Sequence, residues 1–79
     1  MEEGFIVSNK MRKAIFTEVA SGETSLARII KKHHLIEQAA RTAAEELQQH
    51  ALIEDVEGAL QLTELGVKTY GKLKARDSL

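Results

Sequence analysis

The stretch LIEDVEGALQLTELG, residues 52–66, constrains the fold of this chain more than any other segment. Apolar and polar residues alternate on both sides of Glu57-Gly58, and a helical pattern begins directly afterwards. Alternation of this kind indicates strands, and Gly in the pair between them suits a two-residue turn. The segment therefore predicts a β-hairpin with strands at about 52–56 and 59–62. Because a two-stranded hairpin is marginal alone, it must pack against helices from the rest of the chain.

Helical patterns surround this hairpin. Apolar residues recur at helical spacing in three segments before it and one after it. The predicted helices span about 8–21, 25–34, 37–50 and 63–76. Their predicted N-terminal caps are Ser8, Thr24 and Thr63, with no capping side chain before the third helix. Three helices, a hairpin and a last helix predict a mainly α fold forming one domain over residues 1–79.

Composition narrows the class of protein. The chain has 79 residues, of which 43% are hydrophobic, and it contains no Cys and no Pro. Disulfides and thiolate metal sites are therefore excluded, and the core needs no covalent staple. The opening residues contain neither a signal peptide nor a membrane span, so we expect a cytoplasmic protein. We find no catalytic constellation, and we expect neither enzymatic activity nor a cofactor or metal.

Charge is distributed unevenly along the chain. The formal net charge is −1, which excludes a uniformly basic nucleic-acid binder. Residues 51–66 carry four acids and no base, whereas residues 67–79 carry four bases and one acid. An acidic hairpin is thus followed by a basic C-terminal segment, and this asymmetry bears on partners rather than on fold.

Residues 24–66 resemble a known family of regulators. The segment TSLARIIKKHHLIEQAARTAAEELQQHALI, the hairpin and the motif LTELG are similar to the winged helix-turn-helix of MarR-, ArsR- and PadR-type prokaryotic regulators. In such regulators a glycine usually follows the third helix, and here that position is Ala51. The hairpin would be the wing, and the second and third helices would be the helix-turn-helix.

The resemblance implies binding to double-stranded DNA. In the family the third helix enters the major groove and presents its N-terminal half to the base edges. Matched by position, the residues that would contact bases are Glu37, Gln38, Arg41 and Thr42. Those that would lie near phosphates are Lys31, Lys32 and His34. Gln suits adenine, Arg suits guanine, and Thr can touch a thymine methyl group.

The acidic hairpin departs from the family pattern. Relatives carry a basic residue on the wing, whereas Asp55-Val56-Glu57-Gly58 would be repelled by DNA. This departure leaves open an alternative, a winged-helix module that binds a basic protein partner and not DNA. We further expect a homodimer formed through an apolar stripe on the last helix. The residues of that stripe are Val67, Tyr70 and Leu73.

Overall fold

The computed structural model describes residues 2–76, which form five helices and one antiparallel hairpin. In chain order the elements are α1 (Glu2–Val7), α2 (Lys10–Ala20), α3 (Leu26–His33), α4 (Glu37–Gln49), β1 (Ile53–Val56), β2 (Ala59–Leu62) and α5 (Glu64–Ala75). The prediction of a mainly α fold with a small hairpin is confirmed. No helix between residues 2 and 76 has the length and apolar character needed to cross a membrane.

Helix α1 was not predicted from the sequence. Its six residues are too few to show a helical period, and they begin with two acids. The helix is nevertheless docked on the protein, because Ile6 is fully buried in the core. Ser8 belongs to the end of this helix, since its backbone N–H donates to the Gly4 carbonyl at 3.0 Å.

Two of the three predicted N-terminal caps are wrong by one residue. Asn9, not Ser8, caps α2, and its side chain accepts two backbone N–H groups. Ser25, not Thr24, caps α3. In both cases the capping residue is the extended one, which is the backbone geometry that this position requires. Thr63 caps α5 as predicted and accepts from the Gly66 amide.

Three helices end in the same way. Gly22, His34 and Ala51 have φ values of 106°, 54° and 58° and follow α2, α3 and α4. After α4, Ala51 N–H bonds to Gln48 and Leu52 N–H bonds to Leu47, the two bonds of a Schellman motif. Equivalent pairs of bonds close α2 and α3. Ala51 has a left-handed backbone, which costs a residue that carries a β-carbon about 1–2 kcal/mol.

The core lies between α2, α4 and the hairpin. Small side chains on the inner face of α4 allow close approach, and larger residues of α2, α3 and the strands fill the space. The alanines on this face are Ala40, Ala43 and Ala44, as predicted. The largest fully buried side chains are Phe16, Ile6, Ile15, Ile29, Leu47, Leu52, Ile53 and Leu73.

The hairpin has the predicted turn. Glu57 and Gly58 have φ values of 54° and 85°, and the Asp55 carboxylate accepts from the Gly58 amide at 2.8 Å. The paired residues are Ile53↔Leu62, Glu54↔Gln61, Asp55↔Leu60 and Val56↔Ala59. A single backbone bond of 2.9 Å, from Leu60 N–H to Thr24 O, also ties β2 to the loop before α3.

The start of α5 lies directly against the residue before the hairpin. The Thr63 amide donates to the Leu52 carbonyl at 3.1 Å. One turn later, a β-carbon on Gly66 would lie 2.1 Å from the same carbonyl oxygen. Only glycine fits there without movement of the backbone. This contact fixes the direction in which α5 leaves the hairpin.

Candidate nucleic-acid interface

The outer face of α4 is the surface on which the sequence places most of its candidate residues. A three-residue turn separates α3 from α4, and the left-handed residue His34 begins that turn. The alanine face of α4 packs inward, so its opposite face is presented to solvent. The exposed residues of this outer face are Glu37, Gln38, Arg41, Thr42, Glu45, Gln48 and Gln49. All four predicted base-contacting residues are therefore brought together on one accessible surface.

Arg41 is held by Glu37 one turn earlier. Both Nε and Nη2 of Arg41 lie 3.0 Å from Oε2 of Glu37, and both side chains are more than three-fifths exposed. The contact occupies one edge of the guanidinium and leaves the N–H groups of its far end free. Exposed pairs of this kind contribute little to stability. Their consequence here is to orient Arg41 along the helix surface and to offset its positive charge with the Glu37 carboxylate.

Thr42 and Gln38 are also arranged by the helix itself. The Thr42 hydroxyl donates to the Gln38 backbone carbonyl at 3.1 Å, so its oxygen and methyl group are left for other contacts. The Gln38 side-chain amide makes no hydrogen bond to any group within residues 2–76, so its donors and acceptor remain available.

The cationic side chains predicted to lie near phosphates differ in whether an acid of the same chain already pairs with them. Lys32 Nζ lies 3.0 Å from the Glu18 carboxylate on α2, and His33 Nε2 lies 2.7 Å from the same oxygen. The hydrogen bond from His33, followed by that from Lys32, lowers the pKa of Glu18 below its ordinary value. Within residues 2–76, Lys31 forms no ion pair, so it is the freer of the two predicted lysines.

His33 lies at the end of α3 and reaches across to the Glu18 carboxylate on α2. The imidazole is long enough to leave the apolar face and bond to a carboxylate on the neighbouring helix.

The hairpin is as acidic in the structure as in the sequence. Glu54, Asp55 and Glu57 are exposed, and none of them pairs with a base in the part of the chain from residue 2 to residue 76. Asp55 is used locally, because it holds the turn. The hairpin therefore presents uncompensated negative charge to any partner.

The three residues predicted to form a dimer interface do not share one surface. Leu73 is only 1% exposed and belongs to the core of its own chain. Tyr70 is half-buried in an edge-to-face arrangement with Phe16, at a distance of 6.2 Å between the ring centroids. Val67 alone is well exposed, at 59%. The stripe seen in the sequence mainly packs α5 onto its own chain, because this short helix needs that contact to be stable.

Sequence reasoning missed an aromatic cluster that fastens α1. Arg12 lies over the Phe5 ring at 3.9 Å, and His50 stacks on that ring at 3.8 Å with 14° between the planes. Each face of a ring accommodates one such group, so Phe5 is sandwiched between them. Arg12 also donates to the Phe5 carbonyl and to Glu46, at 3.0 and 3.1 Å. The lone aromatic at residue 5 was the only feature of the sequence that indicated this contact.

These contacts give Arg12 a structural role. Three groups of its own chain engage its guanidinium, namely the Glu46 carboxylate, the Phe5 carbonyl and the Phe5 ring, so it is not free to contact phosphate. Lys10 remains exposed beside it, at an open cleft of about 670 Å³ between the start of α2 and the outer side of α4. Thr42 lines the same cleft, so Lys10 lies close to the outer face of α4.

No group of three potential metal-ligating side chains occurs between residues 2 and 76. Comparisons with protein-family models, with curated proteins and with solved structures found no match.

Proposed function

We propose that the protein is a small sequence-specific DNA-binding regulator with a winged helix-turn-helix fold, and that α4 enters the major groove. In this proposal α3, the turn and α4 form the helix-turn-helix, and the hairpin is the wing. The bond between Leu60 and Thr24 supports the assignment, because it attaches the hairpin beside the start of α3.

One observation carries the proposal. Gln38, Arg41 and Thr42 lie together on the exposed first half of α4, directly after a short turn from α3. The free amide of Gln38 can make two hydrogen bonds to adenine, and the far end of the Arg41 guanidinium can make two to guanine. Glu37 acts on Arg41 as a positioning residue, because their ion pair favours an orientation of the guanidinium along the helix surface.

Phosphate contacts are few in this arrangement. Lys31 and Arg28 are exposed and form no ion pair within the described residues, Lys10 lies near α4, and Lys32 is partly neutralised by Glu18. Two to four phosphate contacts per protomer imply a salt dependence with a slope of about −2 to −4 in log K against log salt. Non-specific binding should therefore be weak, and base contacts should contribute a large share of the affinity.

The test is a fluorescence titration of labelled duplexes, performed with random sequence and with sequences selected by the protein from a random pool. At about 50 mM salt we expect binding at micromolar protein concentrations, with selected duplexes preferred. Arg41→Ala should reduce the affinity for the selected sequence by about 1–3 kcal/mol and relax the preference at one base pair. Gln48→Ala is the matched control, since it is an exposed residue in the last half of the same helix.

Two results would refute the proposal. One is the absence of binding to any duplex at tens of micromolar protein in low salt. The other is equal loss of binding in the Arg41 and Gln48 variants, because base reading by the first half of α4 predicts a difference between them.

A second candidate function is a winged-helix module that binds a basic protein partner. Two observations favour it: the hairpin acids are unpaired within residues 2–76, and Ile36 is 71% exposed at the start of α4. An exposed apolar residue and unpaired acids suit a partner with a basic, partly apolar surface. Under this function Ile36→Ser should abolish capture of the partner, and the protein should bind no duplex at low salt.

A further inference from the structure

Ile36 occupies the N-cap of α4, a position that favours Ser, Thr, Asp or Asn. The N-caps of α2, α3 and α5 are Asn9, Ser25 and Thr63, and each of these side chains accepts a hydrogen bond from a backbone amide of the first turn. Ile36 has the same extended backbone, but its side chain has no group that can accept such a bond. Isoleucine therefore makes the start of α4 less stable than a serine would.

Packing within the chain does not account for this isoleucine. Ile36 is 71% exposed, more than any other large apolar residue between residues 2 and 76. In the same turn it is Leu35, the residue before it, that packs against the core. Ile36 is thus unfavourable both as a cap and as a surface residue. Residues that break local rules in this way are expected where a protein contacts another molecule.

The position of Ile36 in the chain indicates what it would contact in a complex with DNA. It lies at the N-terminal tip of α4, two residues before Gln38, and this end of the helix would enter the major groove. The apolar group that a base pair presents in this groove is the 5-methyl group of thymine. Contact between that methyl group and the isoleucine side chain would remove apolar area of both from water.

We propose that Ile36 is a specificity-determining residue that contacts the methyl group of a thymine beside the base pair read by Gln38. The inference rests on the proposed DNA-binding function and adds an apolar contact to the polar contacts of that function. Gln38 and Arg41 select patterns of hydrogen-bond donors and acceptors, whereas Ile36 selects a methyl group. The DNA sites that the protein prefers should therefore contain a thymine at this position.

One substitution should have opposite effects on stability and on binding. Ile36→Ser supplies the missing cap, so Tm should rise by about 4–8 °C. The same variant loses the apolar contact, so its affinity for selected duplexes should fall by about three- to tenfold. Because the variant is more stable than the unmodified chain, unfolding cannot cause this loss. Val67→Ser is the matched control, since it replaces an exposed apolar residue on α5 and should leave binding unchanged.

Uracil tests the contact directly, because it has the hydrogen-bonding groups of thymine without the methyl group. Duplexes are first selected by the protein from a random pool free of 5-methylcytosine, so thymine is the only base with a 5-methyl group. Each thymine of the selected sequence is then replaced by uracil, one at a time, and fluorescence titration measures the dissociation constant. For the unmodified chain one replacement should weaken binding by about two- to fivefold. For Ile36→Ser the same replacement should change binding by less than about 1.5-fold.

The possible failures of this inference and of the DNA-binding function differ. Selected duplexes that bind equally well with uracil at every position overturn the inference and leave DNA binding in place. A uracil effect of the same size in Ile36→Ser does so too, as does a selected sequence without thymine. An Ile36→Ser variant with a lower Tm than the unmodified chain also overturns it, because the isoleucine would then serve the fold. Absence of binding to every duplex removes the DNA-binding function, and this inference with it.

Discussion

Gly66 and Gly71 lie in the same helix, and the same substitution should have opposite effects at the two positions. At Gly66 a β-carbon would lie 2.1 Å from the Leu52 carbonyl oxygen, which is part of the backbone. At Gly71 an added β-carbon meets no atom within 4 Å. Gly66→Ala therefore tests whether the close contact at the start of α5 holds that helix in place, and Gly71→Ala is its control.

The size of the destabilisation caused by Gly66→Ala follows from the part of the backbone that must move. A carbon and a carbonyl oxygen need more than 3 Å, so the first turn of α5 must shift by about 1 Å. The shift weakens the Thr63 bonds to the carbonyls of Leu52 and Ala51, each worth about 1 kcal/mol. Disturbed packing of Leu73 adds about 1–3 kcal/mol, and the higher helix propensity of alanine returns about 1 kcal/mol. Gly66→Ala should therefore destabilise the protein by about 2–4 kcal/mol.

This loss is large for a chain of this size. At about 0.05–0.15 kcal/mol per residue, the whole protein has a stability of about 4–12 kcal/mol. Each kcal/mol changes Tm by about 4–8 °C for a domain of this length. Gly66→Ala should lower Tm by at least about 8 °C, whereas Gly71→Ala should raise it by about 4–8 °C. Urea and thermal unfolding followed by circular dichroism measure both. A Gly66 variant within about 0.5 kcal/mol of the unmodified chain would refute the reasoning, as would equal shifts in both variants.

Three further changes test other parts of the structure. Ala51→Gly should stabilise the protein by about 0.5–1 kcal/mol in urea unfolding. The left-handed backbone is unfavourable for alanine, and this cost is larger than that of the additional chain entropy that glycine loses on folding. Glu18→Gln should make the free energy of unfolding depend less on pH in the acidic range. The bonds from His33 and Lys32 lower the pKa of Glu18, so their stabilisation is present above its ordinary pKa and is lost as pH falls through the lowered value. Phe5→Ala should cost about 2–3 kcal/mol and expose α1 to proteolysis, which limited digestion followed by mass spectrometry measures.

The sequence predicted those elements whose pattern is long or punctuated by characteristic residues. The hairpin was found because alternation surrounds Glu57-Gly58, and α4 because its alanines recur over thirteen residues. Helix α1 was missed because six residues give no period, and because its stability comes from contacts with distant residues such as Arg12 and His50. The cap errors have a local cause, since Ser8 and Asn9 are both good capping residues and only the backbone decides between them.

The candidate interface was predictable as a set of residues but not as an arrangement. Helical spacing was sufficient to place Gln38, Arg41 and Thr42 on one face of α4. It did not indicate that Glu37 would engage Arg41, because side-chain pairs at this spacing compete with solvent and are weak. Nor did it reveal that Leu73 would be fully buried, because burial within one chain and burial between two chains give the same apolar pattern in a sequence.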